Sequence, residues 1–93
     1  MTKEEILNWA LLTFGHSPQK MMAIEECAEF INAISKEKRG RAGREEIISE
    51  IADVMIMMEQ MAVIYGQDAV EKEKSRKLAR LEERIKSVIH SNK

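Results

Sequence analysis

The sequence predicts an all-α fold, a four-helix bundle in which the second and third helices run antiparallel at the centre. Three observations lead there. The 93 residues contain one proline and four glycines, so few positions interrupt regular structure. Apolar residues recur at three- and four-residue spacing along most of the chain. Gly15, the segment Gly40-Arg41-Ala42-Gly43, and Gly66 divide that periodicity into four runs. Helices joined by connections this short pack as antiparallel neighbours in one domain, expected over residues 1–93.

The first helix opens at Thr2-Lys3-Glu4-Glu5, which has the form of a capping box, with Thr2 as N-cap and Glu5 reaching back. It runs to about Phe14, and Gly15 ends it. Ser17-Pro18 is expected to open the second helix. Serine caps, and proline suits the first helical position because its missing N–H would go unpaired there anyway. Met21, Ile24, Ala28 and Ile31 then share one face, and the helix fades at Lys38-Arg39-Gly40, where cations meet the negative end of its dipole. A third helix is expected from about Arg44 to Tyr65, with Gly66 ending it. From Ile47 to Ile64 its apolar residues cover nearly the whole circumference, so it should be buried on most sides. Asp68 with Glu71 suggests a second capping box, opening a fourth helix whose Leu78, Leu81, Ile85 and Val88 form a stripe.

Composition removes several classes of function. A net charge of -1 gives no electrostatic basis for binding a nucleic-acid backbone. One cysteine, Cys27, excludes an internal disulfide framework. No stretch approaches eighteen uncharged apolar residues, so neither a membrane span nor a signal segment is expected, and the cytoplasm is the default compartment. A chain of this length buries a limited core. Helix three needs more cover than one chain offers, so a homodimer is expected, with helices two and three forming the oligomer core against their symmetry mates. Two such dimers would make a homotetramer.

The chemistry lies in two acidic motifs. Helix two carries Glu25-Glu26-Cys27-Ala28-Glu29, and helix three carries Glu50-Ile51-Ala52-Asp53. Residues three apart share a helix face, so Glu26 points with Glu29 and Glu50 with Asp53. In an antiparallel hairpin, residues at equal height have position numbers of constant sum. The pairs Glu29/Glu50 and Glu26/Asp53 share one sum, whose midpoint falls between Arg39 and Gly40, at the glycine hinge. Turn chemistry and carboxylate spacing thus place all four acids at one level. Asp53 stands in the run Ile51 to Met58, where an unpaired carboxylate would be costly to bury, and crowding the acids raises their pKa values further. A divalent cation resolves the conflict. Oxygen donors without histidine or cysteine partners favour a hard ion, Mg²⁺ or Mn²⁺, over zinc. Either motif alone is more often a solvated face; it is the pairing that points to a metal. Carboxylate-held magnesium commonly meets substrate phosphates, which suggests phosphoanhydride hydrolysis by a metal-activated water. Glu25, or one of the four not fully used as a ligand, would accept the proton.

The motif E-E-x-x-E, followed after twenty residues by E-x-x-D, resembles the MazG-like, all-α nucleoside triphosphate pyrophosphohydrolases. The resemblance covers mainly residues 18 to 65, including the apolar framing in Met22-Ala23-Ile24 and Val54. It implies a single MazG-like domain, an oligomeric helical bundle, and cleavage between the α and β phosphates to give a monophosphate and pyrophosphate. It also implies that Glu26, Glu29, Glu50 and Asp53 hold Mg²⁺, with Glu25 in support. The substrate would be a dNTP or a non-canonical NTP. Activities of the dUTPase or phosphoribosyl-ATP pyrophosphohydrolase type belong to the same wider group, so the motif fixes the chemistry better than the base.

Other candidates each have a plainer reading beside them. Lys20, near the start of helix two, is either a phosphate contact or an exposed lysine. Lys77, Arg80 and Arg84 share one face of helix four, as phosphate ligands or as solvated charge. Trp9 would stack on a base or, more commonly for an amphipathic helix, fill core. The main rival function is a non-enzymatic helical interaction module using helix four as an arm. Its stripe spans only about two heptads, which is short for a coiled coil.

Overall fold

The computed structural model describes residues 1–92. The fold is an all-α bundle, 89% helical, with no strand among the described residues. Helix α1 spans Lys3–Phe14, α2 His16–Lys38, α3 Arg44–Tyr65 and α4 Gln67–Ser91. The capping box at α1 forms as expected: the Glu5 N–H donates to the Thr2 hydroxyl at 3.1 Å, and the Thr2 N–H donates to the Glu5 carboxylate at 3.3 Å.

The other two caps differ from expectation. Gly15 both ends α1 and caps α2, so Ser17 lies inside the first turn and makes no capping bond. Pro18 becomes the third helical residue, still among the four whose N–H groups have no partner within the helix. The two helices adjoin through one residue because Gly15 adopts φ +94° and ψ 155°, a region that side chains other than glycine's do not tolerate. A methyl group there would also sit 3.4 Å from Pro18 Cδ. Gly15→Ala is expected to lower the unfolding free energy by about 1–3 kcal/mol, read as a shift in the urea midpoint. Gly66, at φ +111°, joins α3 to α4 in the same way. It takes the cap position that Asp68 was expected to fill, and Asp68 instead places its charge in the first turn, where the helix dipole favours it.

The core is narrow. Leu7 and Leu11 of α1, Ala23 and Ala33 of α2, and Ile47 and Met57 of α3 are its buried apolar residues. The α2–α3 hairpin is the main packing unit, and α1 lies against both of its helices. Lys3 holds α1 to α3 through Glu59 at 2.8 Å. Inside the hairpin, the buried Gln19 donates through Nε2 to Gln60 Oε1 at 2.6 Å. That pair has the same position sum as Glu29/Glu50, so a polar contact three turns away keeps the register the acids require. Gln60→Ala leaves the buried Gln19 amide without this acceptor. It is expected to destabilise the protein by about 1–3 kcal/mol in chemical denaturation, and the double change to leucine by less.

Helix α3 is only partly covered within the single chain, which was expected to offer it too little cover. Ile48, Ile51, Met55, Ile56 and Met58 are all exposed. The reason is geometric: α1 covers one side of the hairpin, and α4 leaves it. Among the described residues every residue of α4 is exposed, and α4 packs against α3 alone, apart from Gln67, which donates to Glu4 at 3.2 Å. The radius of gyration is 17.0 Å, against about 12 Å for a compact domain of this length. No described helix is long and apolar enough to cross a membrane.

Candidate metal centre

The hairpin brings Glu26 and Glu29 of α2 to Glu50 of α3, with one carboxylate oxygen from each lying within 4.8 Å of the other two. Glu29 is exposed, while Glu26 and Glu50 are half-buried. One oxygen of Glu26 and one of Glu50, both Oε2, are shielded from solvent and have no hydrogen-bond partner. The flanking side chains explain the shielding. Small Ala23 sits one turn before Glu26, and Ile47 one turn before Glu50, so both carboxylates start from the buried side of their helices.

Electrostatics add to this. Burial first, then the charges of Glu29, Asp53 and Glu50, hold the Glu26 carboxyl above the ordinary value. Burial, then Glu29, Asp53 and Glu46, do the same for Glu50. No lysine or arginine offsets either group, and no ion pair among the described residues involves Glu26, Glu29, Glu50 or Asp53. Among the described residues, no basic side chain of the same chain neutralises these acids, the ordinary alternative to a metal.

Asp53 differs from expectation. It is exposed and lies outside the close group of three, although its charge reaches both Glu26 and Glu50. The shielded, unpartnered oxygens belong to the two glutamates. Asp53 shares its exposure with Ala52, Met55 and Ile56 of its apolar run, while Met57 turns into the core. Glu46, one turn before Glu50, is a neighbour the motifs did not single out. Its four-residue spacing from Glu50 was the available signal.

The remaining candidates lie apart from the acids. Glu25 is exposed and lines a hollow with Phe14, Pro18, Gln19, Met21 and Met22. Lys20 stands over the Tyr65 ring with Nζ 5.0 Å from its centroid, a cation–π contact at the far end of α3. Trp9 is 54% exposed, so it is not core. Lys77 borders a shallow apolar hollow formed by α4 alone, and Arg80 is exposed beside it. Within one chain neither is paired with the acid cluster.

The donor set fits a hard divalent cation. It consists of carboxylate oxygens only, two of them shielded and unsatisfied, and Cys27 beside Glu26 does not join it. No family model matches the chain, and no match was found among curated proteins or solved structures. The resemblance noted above therefore stands on the two acidic motifs.

Proposed function

We propose that this protein hydrolyses a nucleoside triphosphate, a dNTP or non-canonical NTP of the cytoplasmic pool, to the monophosphate and pyrophosphate with Mg²⁺ or Mn²⁺. The observation that carries the reading is the group of three glutamates, two with shielded, unpartnered oxygens and none with a cation of its own. The E-E-x-x-E and E-x-x-D motifs, and their likeness to the MazG-like pyrophosphohydrolases, narrow the reaction to the α–β phosphoanhydride.

Glu26, Glu29 and Glu50 would hold the ion, with Asp53 at the exposed rim. When bound, the ion neutralises phosphate charge and lowers the pKa of a water. The protein's part is positioning: a hairpin whose register is held by the Gln19–Gln60 pair keeps the donors in place without loops. In the reaction a water oxygen bonds to phosphorus, the bridging P–O bond breaks, and pyrophosphate leaves with the electron pair. The water's proton passes to a carboxylate oxygen not used as a ligand, on Asp53 or Glu25. The homodimer expected from α3 belongs to the same proposal, since Ile48, Ile51 and Met55 stand exposed on the hairpin that carries the acids.

The test is pyrophosphate release from a panel of standard and modified dNTPs and NTPs, with Mg²⁺ and with chelator. Turnover of at least one substrate, lost on chelation, is expected. No turnover across the panel would reject the reading.

A further inference from the structure

Helix α4 has the form of an arm. It is 25 residues long, and among its described residues none is buried. Leu78, Leu81, Ile85 and Val88 line one side, 56%, 47%, 49% and 58% exposed. Projected at 100° per residue, Lys77, Arg80 and Arg84 fall along one edge of this stripe. None of the three is in an ion pair among the described residues. The arm thus presents an apolar strip with a cationic border, and its own chain covers neither.

The hairpin carries the complement. Ile24, Cys27, Ala28 and Ile31 of α2, with Met58 of α3, line an open apolar groove of about 440 Å³. Projected at 100° per residue, Glu25 and Glu29 fall on α2 beyond Ala28, on one side of the groove, and neither is in an ion pair among the described residues. The arm cannot fold onto this groove in its own chain without giving up the turn at Gly66 that directs it away.

Surface area indicates how large the missing cover is. The chain exposes 7392 Å², whereas a compact monomer of 10.7 kDa exposes about 5,500 Å². The excess is about 1,900 Å² per chain, or about 3,800 Å² for two copies, within the range of obligate homodimers. A small ligand or a short peptide would not supply it.

We propose that α4 is an exchange arm. In solution each copy lays the Leu78–Val88 stripe into the α2–α3 groove of a second copy, with Lys77, Arg80 and Arg84 along the partner's acidic border. This goes beyond dimerisation through the hairpins alone, because it assigns the contact to α4 and its polarity to the charged edges. It shares Glu25 and Glu29 with the proposed metal site, so it is read by mass, helicity and crosslinks on metal-free protein and not by turnover.

The experiment joins three readouts on the full chain. Sedimentation equilibrium at micromolar concentration is expected to give twice the chain mass or a multiple of it, and a stable monomer overturns the proposal. Leu81→Glu with Ile85→Glu alters residues that are exposed in the single chain, so helicity by circular dichroism is expected to persist while the assembly dissociates. Retention of the assembly by this variant overturns the arm. Zero-length carbodiimide crosslinking of mixed ¹⁴N and ¹⁵N copies is expected to join Lys77 to Glu25 or Glu29 in mixed-isotope peptides. Links confined to α4–α4 pairs, or to a single copy, overturn the proposed docking.

Discussion

Glu50→Gln is expected to lower pyrophosphate release by about a hundredfold or more, and Asp53→Asn by about tenfold. The order follows from the geometry. Glu50 supplies one of the three convergent oxygens and the only one from α3, so its amide removes the charge that lets two helices share one ion. Asp53 lies at the rim, and its loss leaves the three-glutamate group intact. Helicity should be unchanged in both, because neither side chain makes a hydrogen bond or ion pair among the described residues. Steady-state assays beside circular dichroism separate lost chemistry from lost fold. Full activity in Glu50→Gln would remove the acids from the mechanism.

The second large effect concerns stability without metal. In chelator at neutral pH, Glu50→Gln is expected to melt at a higher temperature than the unaltered protein, and excess Mg²⁺ should reverse that order. The acids repel one another, and two have shielded oxygens, so ionising them weakens the metal-free fold. The pH dependence has a definite sign. Glu26 and Glu50 have folded-state pKa values above the unfolded one, so between the two the native state binds more protons and stability falls as pH rises. The metal-free protein should therefore gain stability as pH drops from neutral toward the ordinary carboxylate value, until other carboxylates begin to protonate. Saturating Mg²⁺ should flatten that part of the profile. Melting curves across pH, with and without Mg²⁺, read both effects.

Much of the architecture was legible because local signals carried it. The Thr2–Glu5 box, the glycines at 15, 40 and 66, and the 3-4 periodicity define four helices without help from tertiary contacts. The Ser17 and Asp68 caps were misplaced for one shared reason. A glycine at positive φ lets adjacent helices meet through a single residue, leaving a side-chain cap no position to fill.

The site was legible in register and less so in depth. Constant-sum pairing placed Glu29 opposite Glu50, and Gln19 bonded to Gln60 follows the same rule. Burial could not be read from composition, because most of the apolar run around Asp53 is exposed in the single chain although Met57 within it is core. The shielded oxygens of Glu26 and Glu50 lie on helix faces where Ala23 and Ile47, one turn earlier, are buried. The course of α4 was equally hidden. Its stripe is compatible with packing at home or on a second copy, and in the single chain it lies exposed.

Titration of metal-free protein with Mn²⁺, followed by electron paramagnetic resonance of the free ion, tests the central claim that these carboxylates form a divalent-cation site. Saturable binding that Mg²⁺ displaces is expected, with a loss of affinity of about tenfold or more in Glu26→Gln and Glu50→Gln. Binding in those two variants equal to that of the unaltered protein, or no saturable binding at all, would contradict it.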